Sequence, residues 1–318
     1  MGIEIKYRKS RLIAVPAVHF RMAFAAEVNR VCNDKRNKPD AIAVELEPEV
    51  LAEAMQWIRE LTTGSEARAF PTMLGLADFN TANDGNEGKA EMLCLSVTDS
   101  IIEAIRCGIE MNIPVFGVDT SCYYQNSSEA QLIEDAGKAG LSFNHYIFSN
   151  EDAADRLREP LADGRREVHM AGRLKHLLSR YQTVVFTCGL AHWKRLKRLI
   201  GDEQTPALDP APKAGSTRFF KRVVVHPLLA LRFMDKLPSL GPAWDQSRQR
   251  CGSPGNEGIT IPDVAQAGRE ILEAAYARFT KNSLQEAKYG IKQEAIPSLA
   301  ELEAFVVSVE QNEEREYG

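Results

Sequence analysis

Short runs of branched apolar residues that end in a histidine or a carboxylate constrain this chain more than any other feature. Two end in histidine, Arg11-Leu-Ile-Ala-Val-Pro-Ala-Val-His19 and Thr183-Val-Val-Phe-Thr-Cys-Gly189-Leu-Ala-His192. Two others deliver an acid, Asp40-Ala-Ile-Ala-Val-Glu45-Leu46 and Ile113-Pro-Val-Phe-Gly-Val-Asp119. Runs this short, apolar on both alternating faces and bounded by turn formers, read as strands covered on both sides. That is the signature of a parallel sheet between helices, whose strands deliver their last residues to one edge where ligands bind.

The intervening segments carry helical periodicity. Phe20, Phe24, Val28 and Val31 form one stripe of a helix over 21–32, and helices are expected over 48–61, 99–111, 165–181 and after His192. The β-α-β-α opening implies a right-handed crossover. The expected fold is therefore α/β: a central mixed, largely parallel sheet flanked by helices, with a helical C-terminal extension. Domain bounds are expected at 1–235 and 236–318, the break following the Pro-rich spacer Thr205–Pro212 and a strand over Arg218–Val225. Residues 62–90 read as a surface loop, with a functional lid as the sharper alternative; Asn144–Ser149 reads as a short strand and Glu151–Glu159 as a short helix. Pro238–Pro262 reads as loop, followed by helices over 263–281 and 298–311.

Composition narrows the function classes. With 39 basic and 44 acidic residues the net charge is −5, so there is no broad basic field for nucleic acid. The local cluster Lys194-Arg-Leu-Lys-Arg198 reads as a solvated helix face. No run approaches the 18 apolar residues of a membrane span, and the N-terminus lacks an apolar signal core. The six cysteines form no CxxC pair, several lie inside apolar runs, and they read as buried reduced thiols. A cytoplasmic protein without nucleic-acid or membrane partners is expected, with a homo-oligomer possible. The glycines of 252–258 follow no strand and precede no Lys-Ser/Thr, so they are not a phosphate loop.

His19, His192 and Glu45 are the primary site candidates. Two imidazoles and a carboxylate at strand ends suit either a divalent metal with an open position or a general base with its orienting partner. Asp119 joins them as a catalytic group or a turn cap. On the 165–181 helix, Arg166, His169 and Arg173 fall at i, i+3 and i+7 and form a basic stripe able to face a site. His169 and His176 read as structural, His145 and His226 as buried and hydrogen-bonded, and Trp193 as core or pocket lining.

Five segments together resemble a known family: Pro16-Ala-Val-His19; Ala43-Val-Glu45-Leu-Glu47; Glu103-Ala-Ile with Ile113–Asp119; Arg166-Glu-Val-His-Met170; and Val185–His192. In this order they are similar to the TraB/PrgY/TIKI superfamily, with erythromycin esterases and the haem-binding ChaN lipoproteins as remoter relatives. The resemblance covers about residues 11–200. Gly189-Leu-Ala-His192 fits the family's Gly-x-x-His motif, whereas Pro16 stands where its first copy has glycine. The resemblance implies an EreA/ChaN-like sheet and hydrolysis of an amide or ester carbonyl in a peptide or small-molecule substrate. It also implies a site of His19, Glu45, Arg166 and His192. In a metal-dependent form His19, Glu45 and His192 would hold an ion such as Mn, Co or Zn. In a metal-free form His19 would act as base, Glu45 would orient it, and Arg166 with His192 would steady the oxyanion. A non-catalytic module binding haem, metal or peptide, as part of a bacterial defence or signalling system, is the alternative.

Overall fold

The computed structural model describes residues 2–63, 73–78, 91–120, 141–210, 220–223, 240–250 and 259–263. Backbone contacts divide the chain into Met1–Ile261 and Pro262–Gly318, and of the second unit only Pro262 and Asp263 are among the described residues.

In chain order the described elements are β1 (Ile3–Tyr7), β2 (Ser10–Ala17), α1 (Met22–Asn33), β3 (Ala41–Val44), α2 (Pro48–Thr63), β4 (Met73–Asp78), β5 (Glu91–Ser96), α3 (Ser100–Met111), β6 (Val115–Gly117), α4 (Phe143–Asp155), α5 (Pro160–Arg180), β7 (Thr183–Gly189), α6 (Leu190–Gly201), β8 (Phe220–Val223) and α7 (Leu240–Arg250). The central sheet runs β1-β2-β7-β3-β6. All its pairings are parallel except β1 with β2, so the α/β expectation of a mixed, largely parallel sheet flanked by helices holds. A smaller antiparallel sheet, β5-β4-β8, sits over α2, where Arg222 of β8 reaches Glu53 at 3.1 Å and Glu60 at 2.8 Å.

Strand alternation assigns the helices to the two faces. Leu12, Ala14, Val184 and Phe186 join the core formed with α4, α5 and α6, which includes Tyr146, Leu174 and Trp193. Ile13 and Ile42 point the other way, toward Val31 of α1 and Gly108 of α3. A strand whose two faces are both covered has no polar alternation, which is why these runs are continuously apolar. Pro16 falls past the last described pair of the β1 ladder, Ile3↔Ala14, so among the described residues no partner on that side calls for its N–H.

Parallel register does the positioning. Ala17 lies opposite Gly189, Thr187 opposite Val44, and Val44 opposite Gly117, so β2, β7, β3 and β6 end together. His19, His192, Glu45 and Asp119 each follow one of those ends.

Four local expectations are corrected. Residues 144–149 are helical: Phe143, Tyr146 and Ile147 lie inward at i, i+3, i+4 while His145, Phe148 and Ser149 are exposed, a helical period read as a strand because the run is short. His145 is accordingly on the surface. The helix of Arg166 starts at Pro160, since proline at a first turn forfeits no hydrogen bond. Within the expected 62–90 loop, Met73–Asp78 is a strand, recruited by pairing with β5 and β8, two segments distant in sequence. Within the expected 238–262 loop, Leu240–Arg250 is a helix, its Gly241 and Pro242 confined to the first turn. Trp244 is fully buried, Asp245 pairs with Arg106, and Arg248 reaches both oxygens of Glu103 at 2.9 Å: packing on α3 rather than propensity makes α7. Thr62 and Thr63 end α2, and the remainder of the expected loop, 64–72 and 79–90, lies outside the described residues, as do the expected helices over 263–281, but for Asp263, and 298–311, His226, Cys122, Cys251 and the 252–258 loop.

Candidate active site

Glu45 is the centre of the cluster at the strand ends. Its Oε2 accepts the Gly189 amide at 2.6 Å, the amide that opens α6. Its Oε1 lies 3.0 Å from an Arg166 guanidinium nitrogen and 3.2 Å from His192 Nε2. The carboxylate thus occupies an anion seat made by a helix N-terminus and two cations. Its side chain is only 6% exposed. Burial alone would push the Glu45 carboxyl up, but the charges of His192, Arg166 and His19 outweigh it and hold the group well below the usual carboxylate range.

Arg166 spans three carboxylates. It grips Asp119 at 2.6, 3.2 and 3.3 Å, Glu45 at 3.0 Å and, one turn back on its own helix, Asp163 at 2.9 Å. A planar fork of donors suits this arrangement as a lysine would not. Asp119, 1% exposed, also accepts the Thr120 amide at 2.7 Å. Burial, with Glu45 nearby, keeps its carboxyl above the ordinary value despite Arg166. The two acids that share Arg166 are therefore pushed apart, Glu45 downward and Asp119 upward.

The expected basic stripe divides. Arg173, seven residues after Arg166, donates to the main-chain carbonyl of Asp119, whereas His169 is exposed and faces Arg165 O at 3.0 Å. Trp193 is core. Lys194 and Lys197 are exposed and pair with Asp152 and Glu151 of α4, a solvated face as expected. Cys32, Cys107 and Cys188 are buried free thiols and Cys94 is a half-buried one.

Both imidazoles meet acids that the sequence reading did not assign to them. His19 Nδ1 lies 3.3 Å from Asp99 Oδ2. Asp99 is the N-cap of α3, its Oδ1 accepting Ile101 N at 2.8 Å, and its Oδ2 also accepts Phe20 N at 2.7 Å. Burial opposes ionisation of Asp99, but His19 and the two amides hold its carboxyl below the ordinary value. Phe20 adopts φ 61°, a left-handed conformation that costs a bulky residue about 1–3 kcal/mol. The Asp99 carboxylate fixes that strained turn and the ring before it as one unit. On the other strand, His192 Nδ1 lies 3.1 Å from Glu167 Oε1, so both its ring nitrogens face carboxylates. Burial disfavours the imidazolium, yet Glu45 and Glu167 together push its pKa up to about 10.

The resemblance assigns Glu45 to orient His19; in the structure Asp99 holds that position and Glu45 serves Arg166, His192 and Gly189. The signal available for Asp99 was a capping one, an aspartate just ahead of the helical pattern Ser100-Ile-Ile-Glu. For Glu167 it was adjacency to Arg166, which placed a second charged side chain on the site helix.

A metal needs lone pairs, and at two of the three expected ligands they are committed. Glu45 Oε1 already faces two cations, and His192 presents N–H groups to acids on both sides. Among the described residues no three His, Cys, Asp or Glu side chains are grouped so as to hold a metal ion. The donor set as arranged does not fit the three-ligand site that the resemblance implies. What it can do is take a proton at one imidazole beside two fixed cations, Arg166 and His192, that carboxylates hold in place.

Comparison with family models, curated proteins and solved structures finds no match to this chain.

Proposed function

We propose that the cluster is a water-activating site for hydrolysis of an ester or amide carbonyl, working without a bound metal. The observation that carries this reading is the His19–Asp99 pair, seated at a strand end by a strained left-handed turn. A buried carboxylate at Nδ1 fixes the tautomer with its proton on that nitrogen, so that Nε2 carries the lone pair and is the base. In the forward step His19 Nε2 takes a proton from water as the oxygen attacks the carbonyl carbon. Arg166 and the His192 imidazolium stabilise the negative charge that develops on the carbonyl oxygen. His19 then returns its proton to the departing alcohol or amine, leaving the carboxylic acid and a neutral ring. Glu45 and Asp119 hold Arg166 and His192 in place and set the charge balance around them.

The test is hydrolysis of a panel of p-nitrophenyl esters, anilides and short peptides by the full chain in the presence of EDTA. Turnover that is lost in His19→Ala and Asp99→Asn variants of unchanged fold supports the reading. Turnover that vanishes in EDTA and returns with Mn, Co or Zn overturns its metal-free part.

One observation favours the non-catalytic alternative as a second reading. Arg166 is matched by Glu45, Asp119 and Asp163 in a network closed upon itself, as a fixed structural knot would be. On that reading the cluster shapes a binding surface, and a panel that shows no turnover while a ligand still shifts the melting temperature would favour it.

A further inference from the structure

Glu167 is fully buried, and it spends its hydrogen bonds in an unexpected way. Oε1 receives both His192 Nδ1 at 3.1 Å and Arg158 Nε at 3.2 Å. Among the described residues Oε2 has no hydrogen bond; Arg195 Nε, likewise without one, forms an ion pair with it at 3.8 Å. A glutamate present only to anchor arginines would take a bidentate fork, the strongest arrangement on offer, and leave neither group unsatisfied. Here one oxygen is shared between Arg158 and the imidazole while the other, with no hydrogen bond among the described residues, keeps only the longer ion pair with Arg195. The geometry therefore serves the ring.

The placement on α5 supports this. Successive residues of a helix project about 100° apart, and Arg166 and Glu167 use that angle to reach the two sides of Glu45: Arg166 directly, Glu167 through His192. The arrangement also repeats around the other imidazole, where the buried Asp99 stands at Nδ1 of His19. Each histidine at the strand ends thus has its own buried acid behind the ring.

We propose that Glu167 is the positioning residue of His192: it keeps a proton on Nδ1 and aims Nε2 at Glu45. Its effect on turnover rests on the hydrolytic reading above; its effect on the ring does not. Arg158 holds the carboxylate in turn, from the segment joining α4 to α5.

The test is nitrogen NMR of the full chain labelled with 15N-histidine at neutral pH, His192 being identified from His192→Gln. In the wild type, Nδ1 of His192 carries a proton. Glu167→Gln keeps an acceptor oxygen and retains that signature, whereas in Glu167→Leu, followed upward from neutral pH, the imidazolium gives up its proton earlier than in the wild type and the neutral ring divides between its tautomers. On an ester that the wild type hydrolyses, kcat falls about 100-fold in Glu167→Leu, the scale of a reacting group displaced by about an ångström, and less than tenfold in Glu167→Gln, with KM little changed. A wild-type His192 whose Nδ1 is unprotonated overturns the proposal with no variant needed, as do nitrogen shifts that Glu167→Leu leaves unmoved. Wild-type protein with the predicted shifts but no hydrolysis of any substrate supports the positioning and sinks the hydrolytic reading instead.

Discussion

Replacing Arg166 with methionine removes the one cation shared by three carboxylates while keeping the hydrocarbon bulk of its stem. Asp119 loses contacts of 2.6, 3.2 and 3.3 Å and keeps, among the described residues, the Thr120 amide; Glu45 loses one at 3.0 Å and keeps His192 and the Gly189 amide; Asp163, nearer the surface, loses one at 2.9 Å. Removing one partner of a buried pair costs about 3–5 kcal/mol. That cost is counted once, because Glu45 retains its other cation and the half-buried i, i+3 pair with Asp163, a local pair on one helix, adds about 0.5 kcal/mol. The deficit also has a pH signature. In the wild type the depressed Glu45 carboxyl contributes stability that is present above its ordinary value and is lost as pH falls through the folded one. In the variant Glu45 and Asp119 face each other with no cation between them, so both carboxyls move up, and their penalty is full at pH 7 and relieved on protonation. The difference between the two proteins therefore narrows as pH falls from 7 toward 4.5. Guanidinium chloride unfolding followed by the fluorescence of Trp57, Trp193 and Trp244, all buried, measures it. A variant within 1 kcal/mol of wild type at pH 7, or a deficit that does not narrow in acid, refutes the reasoning.

Asp99→Asn leaves an acceptor oxygen for only one of the Phe20 and Ile101 amides and removes the charge behind His19; turnover falls by about 10²–10⁴-fold, the range of a general base, and steady-state kinetics against wild type checks it. The raised pKa of His192 gives stability that is complete below about 6.5 and is lost as pH rises through about 10, so wild-type stability declines over that alkaline range and His192→Gln flattens the profile in denaturant titrations at successive pH values. Gly117→Ala places a Cβ 2.6 Å from the Leu46 carbonyl oxygen and 3.0 Å from Glu47 C and Pro48 N, all backbone atoms that cannot swing aside; calorimetry shows a loss of about 1–3 kcal/mol. Arg248→Met strands the fully buried Glu103 and frees α7, and is expected to cost about 3–5 kcal/mol in the same unfolding assay.

The strands of the central sheet were legible because burial on both faces leaves a continuous apolar run, and β2, β3 and β7 fall within a few residues of their expected bounds. The residues after those strands were legible as a cluster because parallel register must bring strand ends together, and the structure gathers Glu45, Arg166 and His192, with Asp119, accordingly. What the sequence did not disclose is pairing. Nothing local in Asp99 distinguishes a helix cap from a helix cap that also holds a histidine 80 residues away, and Glu167 reads as one more charge on a charged helix. β4 and α7 escaped for a related reason: each exists through partners distant in the chain, which a local pattern does not record.

On the proposed reading the lone pairs at the strand ends serve an imidazole base and two carboxylate-held cations rather than an ion. Metal content, measured by mass spectrometry on protein purified without chelator and on the His19→Ala and His192→Ala variants, tests it most directly. The account predicts far less than one equivalent of any transition metal, unchanged in both variants. Close to one equivalent of Mn, Co or Zn that disappears in both would contradict it.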